Sequence, residues 1–309
     1  MDLLSDILNT LDMKGIFYFR TSFAGNWGVT VPQFEQAARF HLVVQGQLHV
    51  SFPSGEALVL GPGDLILIPH GCSHILSDSV CSTAPALETV LTDLGYDGNG
   101  VLVVGEGYEH SKTKLVCGHF DFRKGADHPL LRALPDYFVV TPSMRAANPI
   151  LDDVMRILLK QVFSTQIGST ASVTKLSEIM FIELLRINLT GNKSFENIMA
   201  AFTDQKISQA ISVIHAQPDA PWTVESLALE IGMSRSRFAH RFKELMGLGP
   251  MAYLLEWRLQ KSLSLLDMSN MSVQQISSKS GYKSSAAFTR AFSSQFGISP
   301  TEYRKKVVH

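Results

Sequence analysis

The chain has 309 residues and a formal net charge of −1, with 45% hydrophobic and 18% charged residues, which is typical of about two domains. No stretch approaches the roughly 20 apolar residues of a membrane helix, and acidic residues accompany the apolar ones at the N-terminus, so we expect a cytoplasmic protein without a membrane segment. Three cysteines, Cys72, Cys81 and Cys117, are too few and odd in number for a disulfide framework.

Charge is unevenly distributed along the chain. Residues 204–309 contain 13 lysines and arginines against 8 acidic residues, whereas the preceding part contains 14 against 20. A basic part behind an acidic part is expected when only one domain meets phosphate groups. The asymmetry therefore indicates nucleic acid as a partner of the C-terminal part.

The first part of the chain, from residue 15 to about residue 140, has short β-rich runs separated by Gly, Pro and Ser turns. These runs include residues 40–44, 47–52, 65–68 and 114–122. Many short strands at close spacing predict a barrel or a sandwich.

Two motifs in this part resemble those of the cupin barrel. Residues 63–74 have the spacing G-x5-P-x-G-x-x-H, which resembles the second cupin motif, where a turn places a histidine in the barrel mouth. Residues 40–46 resemble part of the first motif, but the His-x-His pair of the family is missing and Arg39 stands where its glutamate would be. The usual metal set of the family is therefore incomplete.

Histidine and cysteine side chains could still form a zinc-like site if the barrel brings them together. The candidates are His41, Cys72 and His74 with either Cys117 or His119. Because side chains alternate along a strand, Cys117 and His119 share one face. Zinc or another divalent metal is thus one candidate ligand, and the alternative is that these histidines are simply hydrogen-bonded within the barrel.

After Pro142 the apolar residues change to helical spacing. Residues 148–163 and 172–189 each carry an apolar stripe: Ile150, Val154, Ile157, Leu158 and Val162 on the first, and Leu176, Ile179, Met180, Leu184 and Ile187 on the second. Such a hairpin can pair with its symmetry mate, so we predict a homodimer interface over 148–190. The alternative is that both stripes cover the barrel of their own chain. Residues 191–203 are predicted to be a linker.

The C-terminal part contains an internal repeat with an offset of 49 to 50 residues. In each copy a glycine ends one short helix, two phenylalanines lie four apart on the next, and G-x-x-P-x-x-Y closes the unit. These residues are Gly232, Phe238, Phe242, Gly247, Pro250 and Tyr253, and then Gly281, Phe288, Phe292, Gly297, Pro300 and Tyr303. Thr223 and Ser272 fit the N-caps of the first helices. One copy could belong to an ordinary helical bundle, but the matched pair predicts two helix-turn-helix units, about 223–246 and 272–296, joined by a long helix over 251–266.

The block at 222–266 and the block at 273–304 together resemble the DNA-binding domain of the AraC/XylS family over about 100 residues. The departures are small, with Ser277 where the family usually has Ala and Ser280 where Val or Ala is common. With residues 117–120 and 128–131, the first part of the chain resembles the cupin sensors attached to such regulators. The resemblance implies a transcription regulator, which we expect to be an activator with promoter DNA and RNA polymerase as partners.

The exposed faces of the two second helices supply the candidate DNA contacts. By resemblance, Ser236, Ala239 and His240 occupy positions that reach base edges, and Arg290 is expected to read guanine. Arginines near the start of the first such helix are expected to contact phosphates. The full set of candidates is Arg235, Ser236, Arg237, Ala239, His240 and Arg241, with Ser285, Ala286, Thr289 and Arg290.

The sequence thus predicts an α+β multidomain protein. A cupin-like sensor barrel covers residues 1–147, the hairpin covers 148–190, and an all-α DNA-binding domain covers 204–309. The first hypothesis for function is a regulator without enzymatic activity, controlled by a small effector or a metal in the barrel. The alternative is a metal-dependent cupin enzyme with an attached DNA-binding domain, and the missing His-x-His pair and glutamate argue against it.

Overall fold

The computed structural model describes residues 2–81, 83–98, 100–106, 112–187, 192–268 and 270–307. The chain divides into two compact units, which we call the barrel unit and the helical unit. The barrel unit comprises Met13–Phe122 and Pro135–Asn188, and the helical unit comprises Met1–Asp12, Arg123–Leu134 and Leu189–His309.

Ten strands build the barrel unit. They are β1 (Lys14–Phe23), β2 (Gly28–Val31), β3 (Ala37–Gln45), β4 (Leu48–Ser51), β5 (Ala57–Leu60), β6 (Leu65–Ile68), β7 (His74–Ser77), β8 (Val101–Val104), β9 (Thr113–Asp121) and β10 (Phe138–Val140). One sheet has the order β10-β6-β3-β9-β1-β8 and the other has the order β2-β7-β4-β5. Apolar side chains from both sheets form one core between them, to which Val43 and Leu115 contribute from the first sheet and Leu48 and Leu76 from the second.

The central strand β3 is buried on both faces. It pairs antiparallel with β9 in a register that places His41 opposite Cys117. Side chains alternate between the faces of a strand, so His41 and Cys117 share the inner face with core residues such as Val43. Phe120 lies on the outer face, and its ring is 4.7 Å from the ring of Phe181. The cupin-like, β-rich fold predicted for this part of the chain is confirmed.

Helices in chain order are α1 (Leu3–Thr10), α2 (Leu87–Asp93), α3 (Pro129–Arg132), α4 (Pro142–Ala146), α5 (Pro149–Val162), α6 (Ser169–Arg186), α7 (Lys193–Thr203), α8 (Gln205–Ala216), α9 (Val224–Glu230), α10 (Arg235–Met246), α11 (Pro250–Met268), α12 (Val273–Lys279), α13 (Ser285–Phe296) and α14 (Pro300–Val307). Helices α5 and α6 form the predicted hairpin, and α6 packs against β1 of its own chain. Met180 and Leu184 are completely buried there. These two residues of the predicted stripe are therefore buried within their own chain, and the dimer interface over 148–190 stays a prediction.

The segment predicted as a linker, 191–203, is mostly helix. Residue 191 lies outside the described residues, and α7 begins directly after Asn192, whose side chain accepts a hydrogen bond from Phe195 N. Phe195, Ile198 and Ala201 are buried at helical spacing along one face. This apolar face packs against α8 and α10, whereas a linker would have no such buried face.

Both predicted helix-turn-helix units are present. Thr223 and Ser272 each close a capping box at the start of the first helix of their unit, as expected from the sequence. Gly232 and Gly281 adopt φ of 65° and 72° in the turns, a conformation that side chains disfavour. The four repeated phenylalanines are completely buried. A single helix, α11, joins the two units.

The helical unit also contains two segments from the first part of the chain, which differs from the predicted sensor domain over 1–147. Helix α1 packs on α8 and α11, where Ile7 is completely buried. Residues 123–134, which we call the strap, bury Leu130 in the same unit. These segments leave the barrel unit because their apolar and polar side chains find partners among the C-terminal helices.

Candidate DNA-binding surface and barrel site

In the first helix-turn-helix unit, the second helix, α10, has one buried face and one exposed face. Phe238 and Phe242 face the core. Ser236, Arg237 and His240 are exposed, and Ala239 between them is half-buried. Small, hydroxyl and basic side chains on the outer face are what a helix in a major groove requires.

Two arginines of α10 make ion pairs within the unit. Arg235 Nε lies 2.6 Å from Oε1 of Glu225, and both side chains are exposed. Such a pair contributes little to stability and can be exchanged for a phosphate contact. Arg241 contacts Asp204 at 3.2 Å and Glu244 at 2.9 Å. Because Asp204 caps α8, the Arg241 ion pair also links α10 to α8, and its predicted contact with DNA stays a prediction.

In the second helix-turn-helix unit, the second helix, α13, likewise has one buried face and one exposed face. Ser284 caps it by accepting a hydrogen bond from Ala287 N. Ser285, Ala286 and Arg290 are exposed, and Thr289 is half-buried. The candidate residues of α13 are therefore together on one surface, with Arg290 one turn along the helix from Ala286.

Inside the barrel, His41, His74 and Cys117 form a hydrogen-bonded chain. His41 Nε2 lies 2.8 Å from His74 Nε2, and His41 Nδ1 lies 3.0 Å from Cys117 Sγ. His74 Nδ1 lies 2.8 Å from the carbonyl oxygen of Cys72. Because a carbonyl only accepts, His74 Nδ1 is the donor there; His41 Nε2–H then donates to His74, and the Cys117 thiol donates to His41 Nδ1.

Burial favours the neutral forms of His41, His74 and Cys117 in this hydrogen-bonded chain. It lowers the pKa of His74 to about 4 and lowers that of His41 well below its ordinary value, and the charges of His74 and Arg39 lower the pKa of His41 further. Burial also raises the pKa of the Cys117 thiol to about 12. Neutral imidazoles and a protonated thiol are the forms that the hydrogen-bond directions require.

In their hydrogen-bonded forms, the ring nitrogens and the thiol of His41, His74 and Cys117 are not those that a metal ion needs. Zinc needs a lone pair from each histidine and a thiolate, whereas His41 uses both ring nitrogens and Cys117 keeps its proton. His119 Nε2 instead lies 2.7 Å from Oδ1 of Asp121. Within the described ranges, no three or more His, Cys, Asp or Glu side chains are arranged to hold a metal. Of the predicted candidates, the structure brings His41, His74 and Cys117 together, Cys72 takes part through its carbonyl oxygen, and His119 lies against Asp121.

An open cavity of about 720 Å³, which we call the barrel cleft, lies beside His74. Its lining includes Thr30, Ser51, Phe52 and Cys81. This volume is within the range of small-molecule sites. Deeper in the barrel, Arg39 and His41 border a small pocket of about 30 Å³ with a mainly apolar lining.

A second buried chain of polar groups, which no sequence pattern predicts, lies in the helical unit. Its centre is the hydroxyl of Tyr253, 2.7 Å from His215 Nε2 and 3.1 Å from His128 Nε2. His215 Nδ1 lies 2.8 Å from Asp6 Oδ2. Tyr253 and the segment that contains His128 each belong to a sequence motif, but no local pattern relates residues 125 positions apart.

Comparison with known proteins assigns the two parts of the chain. A cupin family model matches residues 2–190, and a helix-turn-helix domain model matches residues 227–306. The chain therefore belongs to the AraC-type transcription regulators with a cupin N-terminal domain. The family predicted from the sequence is confirmed, and the helix-turn-helix domain implies binding to DNA.

Similar regulators match over the full chain. The HTH-type transcriptional regulator AlkR of Acinetobacter baylyi is 30% identical, over 99% of this chain and 100% of that protein. The RCS-specific HTH-type transcriptional activator RclR of Escherichia coli K12 is 25% identical, over 99% of this chain and 98% of that protein. A solved structure of the DNA-binding domain of AdpA with a target DNA is 30% identical over 33% of this chain and 92% of that chain, with a TM-score of 0.32. Among the described residues, no helix has both the length and the apolar character to cross a bilayer.

Proposed function

We propose that this protein is a cytoplasmic, sequence-specific activator of transcription that inserts α10 and α13 into two major-groove segments of a promoter. The observation that carries the proposal is the pair of matched helices with exposed small and basic residues, joined by the single helix α11. Its 19 residues span about 28 Å, which is comparable to the roughly 34 Å helical turn of DNA. RNA polymerase is the partner through which an activator would act.

Selection from a pool of random duplexes tests this proposal with the full chain. We expect a bipartite motif whose two halves lie about one helical turn apart, and an affinity that falls steeply as salt increases. An alanine variant of Arg290 should lose preference within one half only. Equal binding to all duplexes, or selection of a single uninterrupted half, would contradict the proposal.

We further propose that the barrel cleft holds a small effector. Its volume fits a small molecule, and the Ser51 Oγ at its wall is buried without a hydrogen-bond partner in the described structure. The hypothesis of a metal-dependent enzyme has less support, because His41 and His74 use their ring nitrogens in hydrogen bonds. Native mass spectrometry of the protein from its own host tests for a retained molecule, and a Ser51→Trp variant, which fills the cleft, should lose it.

The outer face of the hairpin supports a homodimer. Ile150 and Ile157 are exposed two turns apart on α5, and Ile179 is exposed on α6. An apolar stripe that its own chain leaves exposed is typical of helices that pair with a symmetry mate. We propose these three residues as the dimer contact, in place of Met180 and Leu184.

A further inference from the structure

The strap, residues 123–134, lies along α11 and connects to both helix-turn-helix units. We propose that a change of conformation in the barrel unit acts through the strap. This change would alter the relative placement of α10 and α13, and thereby the binding of the two helix-turn-helix units to DNA. This inference rests on the proposed function, because it concerns how DNA binding is regulated.

The strap runs antiparallel to α11. At its start, Arg123 forms an ion pair with Asp267. Gln260 Nε2 then donates to the Gly125 carbonyl at 3.1 Å. Near its end, Arg132 Nη2 contacts Glu256 at 2.7 Å.

These partners on α11 define one face. Positions 253, 256, 260 and 267 are spaced as residues on one side of a helix, and Tyr253 reaches His128 of the strap. The 14 residue steps from Tyr253 to Asp267 span about 21 Å of helix. The strap therefore covers most of the helix that sets the separation between α10 and α13.

The strap also connects to each helix-turn-helix unit, directly to the second and through Tyr253 of α11 to the first. In the second unit, the Tyr303 hydroxyl donates to the Lys124 carbonyl at 3.0 Å, and Gln295 Nε2 donates to Asp127 at 3.2 Å. In the first unit, the contact is made through Tyr253, whose ring packs against Phe242 of α10. The tyrosines that close the two repeats are thus both bonded to this one segment.

Both ends of the strap continue into strands of the same sheet. Strand β9 ends at Asp121, two residues before the strap begins, and β10 begins at Phe138, four residues after it ends. Strand β9 carries Cys117 of the buried hydrogen-bonded chain. A change of register or tilt in β9 would therefore pull on the strap through only a few residues of chain.

DNA itself can serve as the probe, because coupling between two sites is reciprocal. Hydrogen exchange of the full chain is measured with and without a duplex selected from the random pool. We expect DNA to protect α10 and α13 and also to change the exchange rates of β9 by about fivefold or more. If no duplex protects α10 and α13, the proposed function fails; if they are protected and β9 does not change, only the coupling is overturned.

A spacer variant assigns the coupling to the strap. Flexible eight-residue Gly/Ser spacers are inserted on both sides of it, between Phe122 and Arg123 and between Leu134 and Pro135. We expect DNA still to protect α10 and α13 while the change in β9 is lost. The same spacer between Gln166 and Ile167, in the exposed turn between α5 and α6 of the barrel unit, is the matched control and should leave that change intact. Persistence of the change in the strap-spacer variant would overturn the proposal.

A point variant decides the matter if the spacer protein does not fold. Gln260→Ala removes the bond to the Gly125 carbonyl, and we expect it to reduce the DNA-induced change in β9 at least twofold. Gln209→Ala, on an exposed face of α8, is the control and should have no effect. Equal changes in both variants would overturn the role of the strap.

Discussion

Removal of one hydroxyl group should strongly destabilise the helical unit. Tyr253 is completely buried, and its hydroxyl bonds two buried imidazoles, at 2.7 Å to His215 and 3.1 Å to His128. His128 Nδ1 accepts from Leu130 N, so its Nε2–H donates to the hydroxyl, which in turn donates to His215 Nε2. Tyr253→Phe therefore leaves one donor and one acceptor unsatisfied.

Each unsatisfied buried group costs about 1–3 kcal/mol, so Tyr253→Phe should lower the free energy of unfolding of this unit by roughly 2–6 kcal/mol. The internal repeat supplies the control, because Tyr303 occupies the equivalent position and its hydroxyl bonds only the Lys124 carbonyl. Tyr303→Phe should cost about 0.5–1.5 kcal/mol. Urea unfolding followed by tryptophan fluorescence measures both, since Trp257 stacks on His215. Equal losses in the two variants would refute the reasoning.

Three further predictions concern DNA, assembly and pH. Arg290→Ala should weaken binding to the selected duplex by roughly 1–3 kcal/mol and leave binding to scrambled duplexes unchanged, as measured by fluorescence anisotropy; equal weakening for both would instead indicate a phosphate contact. Ile157→Glu should give a folded monomer in light scattering, whereas Met180→Glu should unfold the barrel unit; a soluble dimer for Ile157→Glu would end the proposed interface. Because the pKa of His74 is about 4 when folded and near 6.5 when unfolded, only the unfolded chain binds its proton between these values, so stability should fall by about 3 kcal/mol as pH decreases from 6.5 to 4. A barrel whose urea midpoint is the same at pH 7 and pH 4.5 would contradict this assignment.

Local patterns in the sequence were sufficient to predict the helix-turn-helix elements and the protein family. The caps Thr223 and Ser272, the turn glycines and the buried phenylalanines all act within a few residues of chain, so their spacing alone predicts the two helix-turn-helix units. The inward position of His41 and Cys117 followed once the strand pairing was known, because the sequence gives the alternation of faces but not which face is inside.

Only the tertiary structure decided which groups meet. An apolar stripe does not specify its partner, so Met180 was expected to face a second chain although it packs in its own barrel unit. His41, His74 and Cys117 are residue types that bind metals, yet in the structure they form hydrogen bonds with one another. The strap and α1 join the helical unit through Asp6, His128 and Tyr253, which are far apart in sequence. Contacts of this kind depend on the path of the whole chain, and no local periodicity encodes that path.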